Sequence, residues 1–193
     1  MTQHKGKRLF ITGIPTSGKS YLANKLAEHF NGQVVSLDDF REDLSSDNRY
    51  REFVNFYIDK DEKEYYENVS PEEQWKNLVW QSEGLWPAFV EEINKFKDEP
   101  SLVIFECVNL LPHLIKKDFD FSGVVMLGQS YEETLRRNIL EPRWGKTREL
   151  QEFEAKSFFF IERPRYKEEA EKYSYPVYES ADEAYEKNVL ELE

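Results

Sequence analysis

The stretch Arg8-Leu-Phe-Ile-Thr-Gly-Ile-Pro-Thr-Ser-Gly-Lys-Ser20 decides the fold. Gly13, four further residues and then Gly18-Lys19-Ser20 have the spacing of a loop that wraps phosphates with backbone N–H groups. Glycine lets the chain turn and approach an anion without a Cβ in the way. Ile14, Pro15, Thr16 and Ser17 fill the loop. Lys19 brings a point positive charge to the outer phosphates, and Ser20 offers a hydroxyl to the Mg²⁺ that bridges them. Tyr21 extends the binding stretch past the loop. The setting agrees with this reading. Leu9, Phe10 and Ile11 are an apolar run of the kind that forms a buried strand. Leu22, Leu26 and Phe30, with Ala23 and Ala27, recur at helical spacing until Gly32 stops the helix. That helix aims its positive dipole end at a bound anion. Strand, loop and helix predict a nucleoside triphosphate site over 13–21, with ATP the default over GTP.

The chain has 193 residues, enough for one domain with a sizeable core and a small inserted subdomain. Its net charge is −12, which argues against unspecific nucleic-acid binding and against an anionic membrane surface. Cys107 is the single cysteine, so no intramolecular disulfide forms, which fits a reducing cytoplasm. No apolar run is long enough to span a bilayer. The start Met1-Thr-Gln-His-Lys-Gly-Lys-Arg8 is basic but leads only into the short strand-like run, so a signal peptide is not expected. The three histidines are scattered and share no metal-ligand spacing.

Further strands bring acids to the same end of the molecule. Val34, Val35 and Leu37 read as a second buried strand ending in Asp38-Asp39. Ligands of such sheets sit beyond the carboxyl ends of the strands, so this pair is placed to take a proton from an attacking hydroxyl. Alternation along a strand puts the two acids on opposite sides and favours Asp39 as the base, with Asp38 the alternative. Leu102-Val-Ile-Phe105 is a third strand with Glu106 at its tip, a position from which a carboxylate holds Mg²⁺ or orients the acceptor. Phe121 to Leu127 and Tyr175-Pro-Val-Tyr178 read as the fourth and fifth strands.

Between the second and third strands lies a charged, aromatic insert, about 40–98. Ser70-Pro71-Glu72-Glu73 opens a helix there as a capping box, and Trp75, Leu78, Val79, Leu85, Trp86, Phe89, Val90 and Ile93 follow at helical spacing. These apolar residues read first as core. The insert as a whole is the expected wall of an acceptor pocket, with Arg41, Arg49 and Arg51 as grips for an anionic acceptor. Ser130-Tyr-Glu-Glu133 opens a helix that carries Arg136 and Arg137 and stops at Glu141-Pro142. Arg143-Trp-Gly-Lys-Thr-Arg148 is basic in an acidic chain and suggests a lid, about 141–149, that brings arginines over polyphosphate. A long helix is expected from about Glu149 to Tyr173, kinked by Pro164, and a last helix follows the capping box Ser180-Ala-Asp-Glu183.

The phosphate loop, Ser36-Leu-Asp-Asp-Phe-Arg41 and Phe105-Glu-Cys-Val-Asn-Leu-Leu-Pro112 together resemble the P-loop kinases of the adenylate-kinase-like superfamily. Their order is similar to that in 2-phosphoglycerate kinases and zeta-toxin-like small-molecule phosphotransferases, and the segment from Glu149 to Tyr178 is similar to the end of the former's kinase domain. The resemblance implies a three-layer α/β P-loop NTPase fold, a five-stranded parallel sheet flanked by helices. It implies transfer of the ATP γ-phosphoryl group, with Mg²⁺, to the hydroxyl of a small acceptor. By matching positions Lys19 and Ser20 serve phosphates and metal, Asp38 or Asp39 the acceptor, and Arg136, Arg137 and Arg143 the lid. The expected protein is a cytoplasmic monomer or homodimer with no nucleic-acid or membrane partner. A nucleoside or nucleotide kinase on the same fold, or a regulatory NTPase, are the alternatives.

Overall fold

The computed structural model describes residues 7–192. Most of the basic start, Met1 to Gly6, lies outside the described residues. The sheet has five strands: β1 Arg8–Gly13, β2 Gln33–Ser36, β3 Val103–Glu106, β4 Ser122–Met126 and β5 Val177–Tyr178. Their spatial order is β2-β3-β1-β4-β5 and every neighbouring pair is parallel. The register aligns Ile11 with Glu106, Ser36 with Glu106, and Gly13 with Met126. All five carboxyl ends therefore open onto one side of the molecule, with β1 and its loop in the middle.

Side-chain alternation along the strands builds two cores. Leu9, Ile11, Ile104, Val124 and Met126 face helices α1 (Lys19–Phe30) and α10 (Ala181–Leu192). Phe10, Val103, Phe105 and Val125 face the other way, toward α5 (Pro71–Asn94), α6 (Pro112–Asp118) and α9 (Arg163–Tyr173). Strands with both faces covered are continuously apolar, which is how these short runs read. In α5 the stripe Leu78, Leu85, Trp86, Phe89 and Ile93 is buried, and the expected cap is present: Ser70 Oγ accepts from Glu73 N at 3.3 Å. The rest of the insert is the short helices α2 (Leu37–Asp43), α3 (Arg51–Val54) and α4 (Glu62–Asn68).

Strands three to five are shifted or trimmed by one or two residues, and two larger differences from the sequence reading bear on the site. Leu37 is not in the second strand; it is the first residue of α2, because Ser36 Oγ accepts from Asp39 N at 3.2 Å and caps the helix there. Asp38 and Asp39 thus lie in a helical first turn, and the alternation that favoured Asp39 does not apply. Pro164 does not simply kink a long α-helix. Helix α8 (Arg148–Lys156) passes into a π-helical segment, Ser157–Glu162, and then into α9. Proline has no N–H for the preceding turn, and the helix accommodates it by widening just upstream. Helix α7 (Tyr131–Leu140) ends where expected, ahead of Pro142. Among the described residues no helix is long and apolar enough to cross a membrane.

Candidate active site

The loop between β1 and α1 is built as a cradle. Gly13 has φ +122°, and a Cβ there would lie 2.0 Å from the Met126 carbonyl oxygen, which also accepts from Ile14 N at 3.1 Å. Gly18 has φ +94° and Thr16 φ +61°. Ser17 Oγ and Lys19 Nζ both donate to the Ile14 carbonyl, at 2.7 and 2.8 Å, which folds the lysine back over the loop. Helices α2, α4, α5, α7 and α8 are each capped by a side chain; α1 starts at Gly18 with no side-chain cap and no acid in its first turn. Its first N–H groups and positive dipole end are left for an anion.

Acids from the neighbouring strands meet this cradle. Glu106, at the tip of β3, is buried, and its Oε2 accepts from Ser20 Oγ at 3.3 Å. Burial raises the Glu106 pKa against the pull of Lys19, and burial lowers the Lys19 pKa against the pull of Glu106 and Asp38. Desolvation thus outweighs mutual attraction at both groups, and a bound anion with its cation would restore the balance. The pairing of a hydroxyl and a carboxylate fits Mg²⁺, a hard cation that takes few protein ligands and completes its shell with phosphate and water. Among the described residues no group of three or more His, Cys, Asp or Glu side chains forms a self-sufficient metal cage.

Asp38 faces this cluster and Asp39 does not. Asp38 Oδ1 lies 3.0 Å from Arg41 Nη1 and accepts from Cys107 Sγ at 3.3 Å, whereas Asp39 is exposed. Arg41 Nη1 also donates to Asn109 Oδ1 at 2.7 Å, and Asn109 Nδ2 donates to Gln81 Oε1 and Ser82 Oγ at 3.0 and 2.9 Å. Asn109 and Gln81 escaped the sequence reading: an isolated amide carries no periodic signal, though a fully buried polar side chain marks a network once the fold is known. The Cys107 thiol is fully buried and its pKa is pushed well up by desolvation, so it is a packed side chain.

The arginines divide in two. Arg137 Nη1 donates to the Thr16 carbonyl at 3.0 Å and its Nε to Glu133 at 2.6 Å, so α7 is tied directly to the cradle. Arg143 lines an open cleft of about 360 Å³ with Thr16, Lys19, Ser20 and Arg137. Arg136 does not join them; it is exposed and held by both oxygens of Glu133. Arg49 and Arg51 also turn away, Arg49 to Asp47 and Arg51 to the Ser45 carbonyl, both in solvent. Of the three arginines expected to grip an acceptor, only Arg41 faces the site. The segment after α7 is pinned rather than loose. Trp144 N and Gly145 N donate to Glu154 Oε1 at 2.7 and 2.9 Å, and Asn138 Nδ2 donates to Oε2 at 2.6 Å. A second cleft of about 360 Å³, lined by Ser17, Tyr21, Gln129, Arg137 and Ser180–Asp182, continues the first around Tyr21.

No protein-family profile and no curated protein sequence matches this chain. Solved structures do. Shikimate kinase from Acinetobacter baumannii, in complex with shikimate, superposes with a TM-score of 0.54 at 14% identity, over 98% of this chain and 93% of that one. Deoxyadenosine kinase from M. mycoides with bound dATP superposes with a TM-score of 0.50 at 14% identity, over 96% of this chain and 98% of that one. At such identity the likeness speaks for the backbone alone. With a five-stranded parallel sheet in the order β2-β3-β1-β4-β5 and a glycine-bounded loop leading from its central strand into α1, this chain has the P-loop kinase fold.

Proposed function

We propose that the protein is an ATP-dependent, Mg²⁺-requiring phosphotransferase that moves the γ-phosphoryl group of ATP to the hydroxyl of a small acceptor. One observation carries this reading: Lys19, Ser20, Glu106, Asp38 and Arg41 converge from three elements on the uncapped start of α1. Residues 13–20 and the α1 N-terminus hold the β- and γ-phosphates through backbone N–H groups, and Lys19 neutralises their charge. The adenosine end occupies the cleft bounded by Tyr21, Gln129 and Ser180–Asp182. Ser20 and Glu106 would hold Mg²⁺, which would supply neutralisation of phosphate charge. Asp38 accepts the proton of the attacking hydroxyl, and Arg41, locked by Asn109, fixes that carboxylate. Arg137 and Arg143 stabilise charge on the group in flight. Positioning and electrostatics do most of the work in such a reaction.

The test is phosphoryl transfer from γ-labelled ATP across sugars, polyols, amino alcohols, nucleosides and hydroxy acids. Transfer that rises with one acceptor class, and that Asp38→Asn lowers by about 10²–10⁴-fold with nucleotide binding intact, supports the assignment. ATP hydrolysis indifferent to every acceptor, in both proteins, contradicts it and favours a regulatory NTPase.

A further inference from the structure

Three buried polar side chains, Gln81, Ser82 and Asn109, form a chain whose hydrogen bonds each have a fixed sense. Gln81 Nε2 donates to the Phe53 carbonyl at 2.8 Å. A carbonyl only accepts, so Gln81 must turn its Oε1 the other way, where it accepts from Asn109 Nδ2 at 3.0 Å. Ser82 Oγ gives its proton to the Leu78 carbonyl at 2.7 Å, so toward Asn109 Nδ2, at 2.9 Å, it can only accept. Both protons of the Asn109 amide are thus taken on α5. Its Oδ1 is left to accept from Arg41 Nη1 at 2.7 Å.

Both ends of this chain are anchored. Phe53 belongs to α3, and its ring lies so close to α5 that a Cβ at Gly84 would meet ring carbons at 2.2, 2.3 and 2.5 Å. The Phe53 carbonyl can sit over Gln81 because α5 carries no side chain at that point. At the other end the segment after β3 is pinned through the Val108 carbonyl, which accepts from Thr12 Oγ1 of β1 at 3.3 Å and from Tyr166 Oη of α9. Asn109 N donates to Cys107 Sγ at 3.3 Å, and Cys107 Sγ donates to Asp38 Oδ1 at 3.3 Å, a second path from the same residue to the same carboxylate.

Buried amides need partners for stability alone. That need is met without aiming the last acceptor at the arginine that holds the acid. Asp38 and Arg41 are an i,i+3 pair within α2, at 3.0 Å, with side chains 31% and 23% exposed. A pair open to water holds its geometry weakly. The guanidinium is fixed instead by a fully buried acceptor, whose direction Gln81 and Ser82 dictate.

We infer that Gln81, with Ser82, is a positioning residue for phosphoryl transfer: it sets the sense of the Asn109 amide, which holds Arg41, which holds Asp38 toward the acceptor hydroxyl. This rests on the phosphotransferase reading and adds the means by which the insert controls the base. In the reaction the hydroxyl oxygen forms a bond to the γ-phosphorus, the bond from that phosphorus to the β–γ bridging oxygen breaks, ADP leaves, and the hydroxyl proton passes to Asp38. Gln81 touches none of these atoms and takes no proton. A shift of α3 away from α5 would free the Gln81 amide to turn, and the acid would lose its hold.

Gln81→Met keeps the length of the side chain and removes both of its hydrogen bonds. With the acceptor that the transfer screen returns, it should lower kcat by about tenfold or more while Mg·ATP affinity stays within about twofold. In an Asp38→Asn background the same change should lower kcat by no more than about twofold, because its effect runs through that carboxylate. Nitrogen-15 spectra of the arginine side chains, assigned with Arg41→Lys and recorded with no acceptor, should show Arg41 Nη protons slow to exchange in the wild type and averaged in Gln81→Met. Should Gln81→Met unfold, Ser82→Ala removes one lock and little volume, and should lower kcat by about threefold with the same loss of additivity. A kcat within about twofold of wild type, an equal loss in the Asp38→Asn background, or an unchanged Arg41 spectrum overturns the inference and leaves the phosphotransferase reading standing. Wild-type protein that transfers to no acceptor removes that reading and this inference with it.

Discussion

Asp38 and Asp39 sit side by side in the sequence and do different things. Asp39 is exposed in the first turn of α2, where an acid favours the helix dipole and its N–H is taken by Ser36. Asp39→Asn should therefore cost about 1 kcal/mol or less of stability and leave phosphoryl transfer within a few fold, read by thermal unfolding and steady-state kinetics. Asp38 belongs to the Arg41–Asn109–Gln81 chain, and its loss should be felt in turnover. At Gly13 the constraint is steric. A methyl group would strike the Met126 carbonyl, and the φ of +122° is one that L side chains rarely adopt. Gly13→Ala should cost about 2 kcal/mol or more in denaturant unfolding and weaken nucleotide binding as the cradle shifts. Gly13, Gly18, Lys19 and Ser20 were legible because their spacing is itself the signal. Glu154 was not: a carboxylate inside a helical stretch reads as surface until its burial and the donors that converge on it are seen.

At the scale of elements, the capping residues wrote their own boundaries. Ser70 and Ser130 start α5 and α7 where the capping boxes place them. Ser36 starts α2 in the same way, but Val34, Val35 and Leu37 around it fit a strand equally well, and that ambiguity hid the start of α2. The basic segment read as a lid, about 141–149, shows its charge in the sequence but not its anchor. The anchor is Glu154, fully buried and beyond the end of that segment, accepting from Asn138, Trp144 and Gly145. Glu154→Ala strands these donors and should cost about 3 kcal/mol. Limited proteolysis should cut the variant within 141–147 well before global unfolding; equal protection in both proteins would show that the aromatic contacts of Trp144 suffice alone.

For the molecule as a whole, the pH dependence of stability follows from three carboxylates. Desolvation raises Glu62 to about 7, with Glu154 adding to it and Lys146 opposing it; desolvation also raises Glu162 to about 7, against Lys19. Below 4.5 these groups are protonated in both folded and unfolded chains. As pH rises from 4.5 through 7 the unfolded chain releases these protons first, so stability falls, by up to about 3 kcal/mol for each group. Glu133 acts in the opposite sense. Its hydrogen bonds to Arg136, and then Arg137, lower it to about 2, so its contribution is present above 4.5 and is lost as pH falls toward 2. The Tm should therefore peak near pH 5 and decline toward pH 8, and Glu62→Gln should flatten part of that decline. A Tm that climbs steadily from pH 5 to pH 8 contradicts the burial of these acids. The five strands of a helix-flanked parallel sheet were legible as apolar runs set in β–α succession, whereas their spatial order carries no local signal and comes from the pairing alone. The Asp38–Arg41–Asn109–Gln81 chain was less legible, because it is assembled from α2, the segment after β3 and α5, far apart in sequence.

The claim beneath all of this is that residues 13–20 and the start of α1 hold a triphosphate. Calorimetric titration of Mg·ATP into the wild-type protein and into Lys19→Ala tests it most directly. The account predicts saturable binding at one site per chain, weakened by about 10²-fold or more in the variant, with the folded state intact by circular dichroism. Heat that does not saturate, or equal affinity in the two proteins, contradicts it.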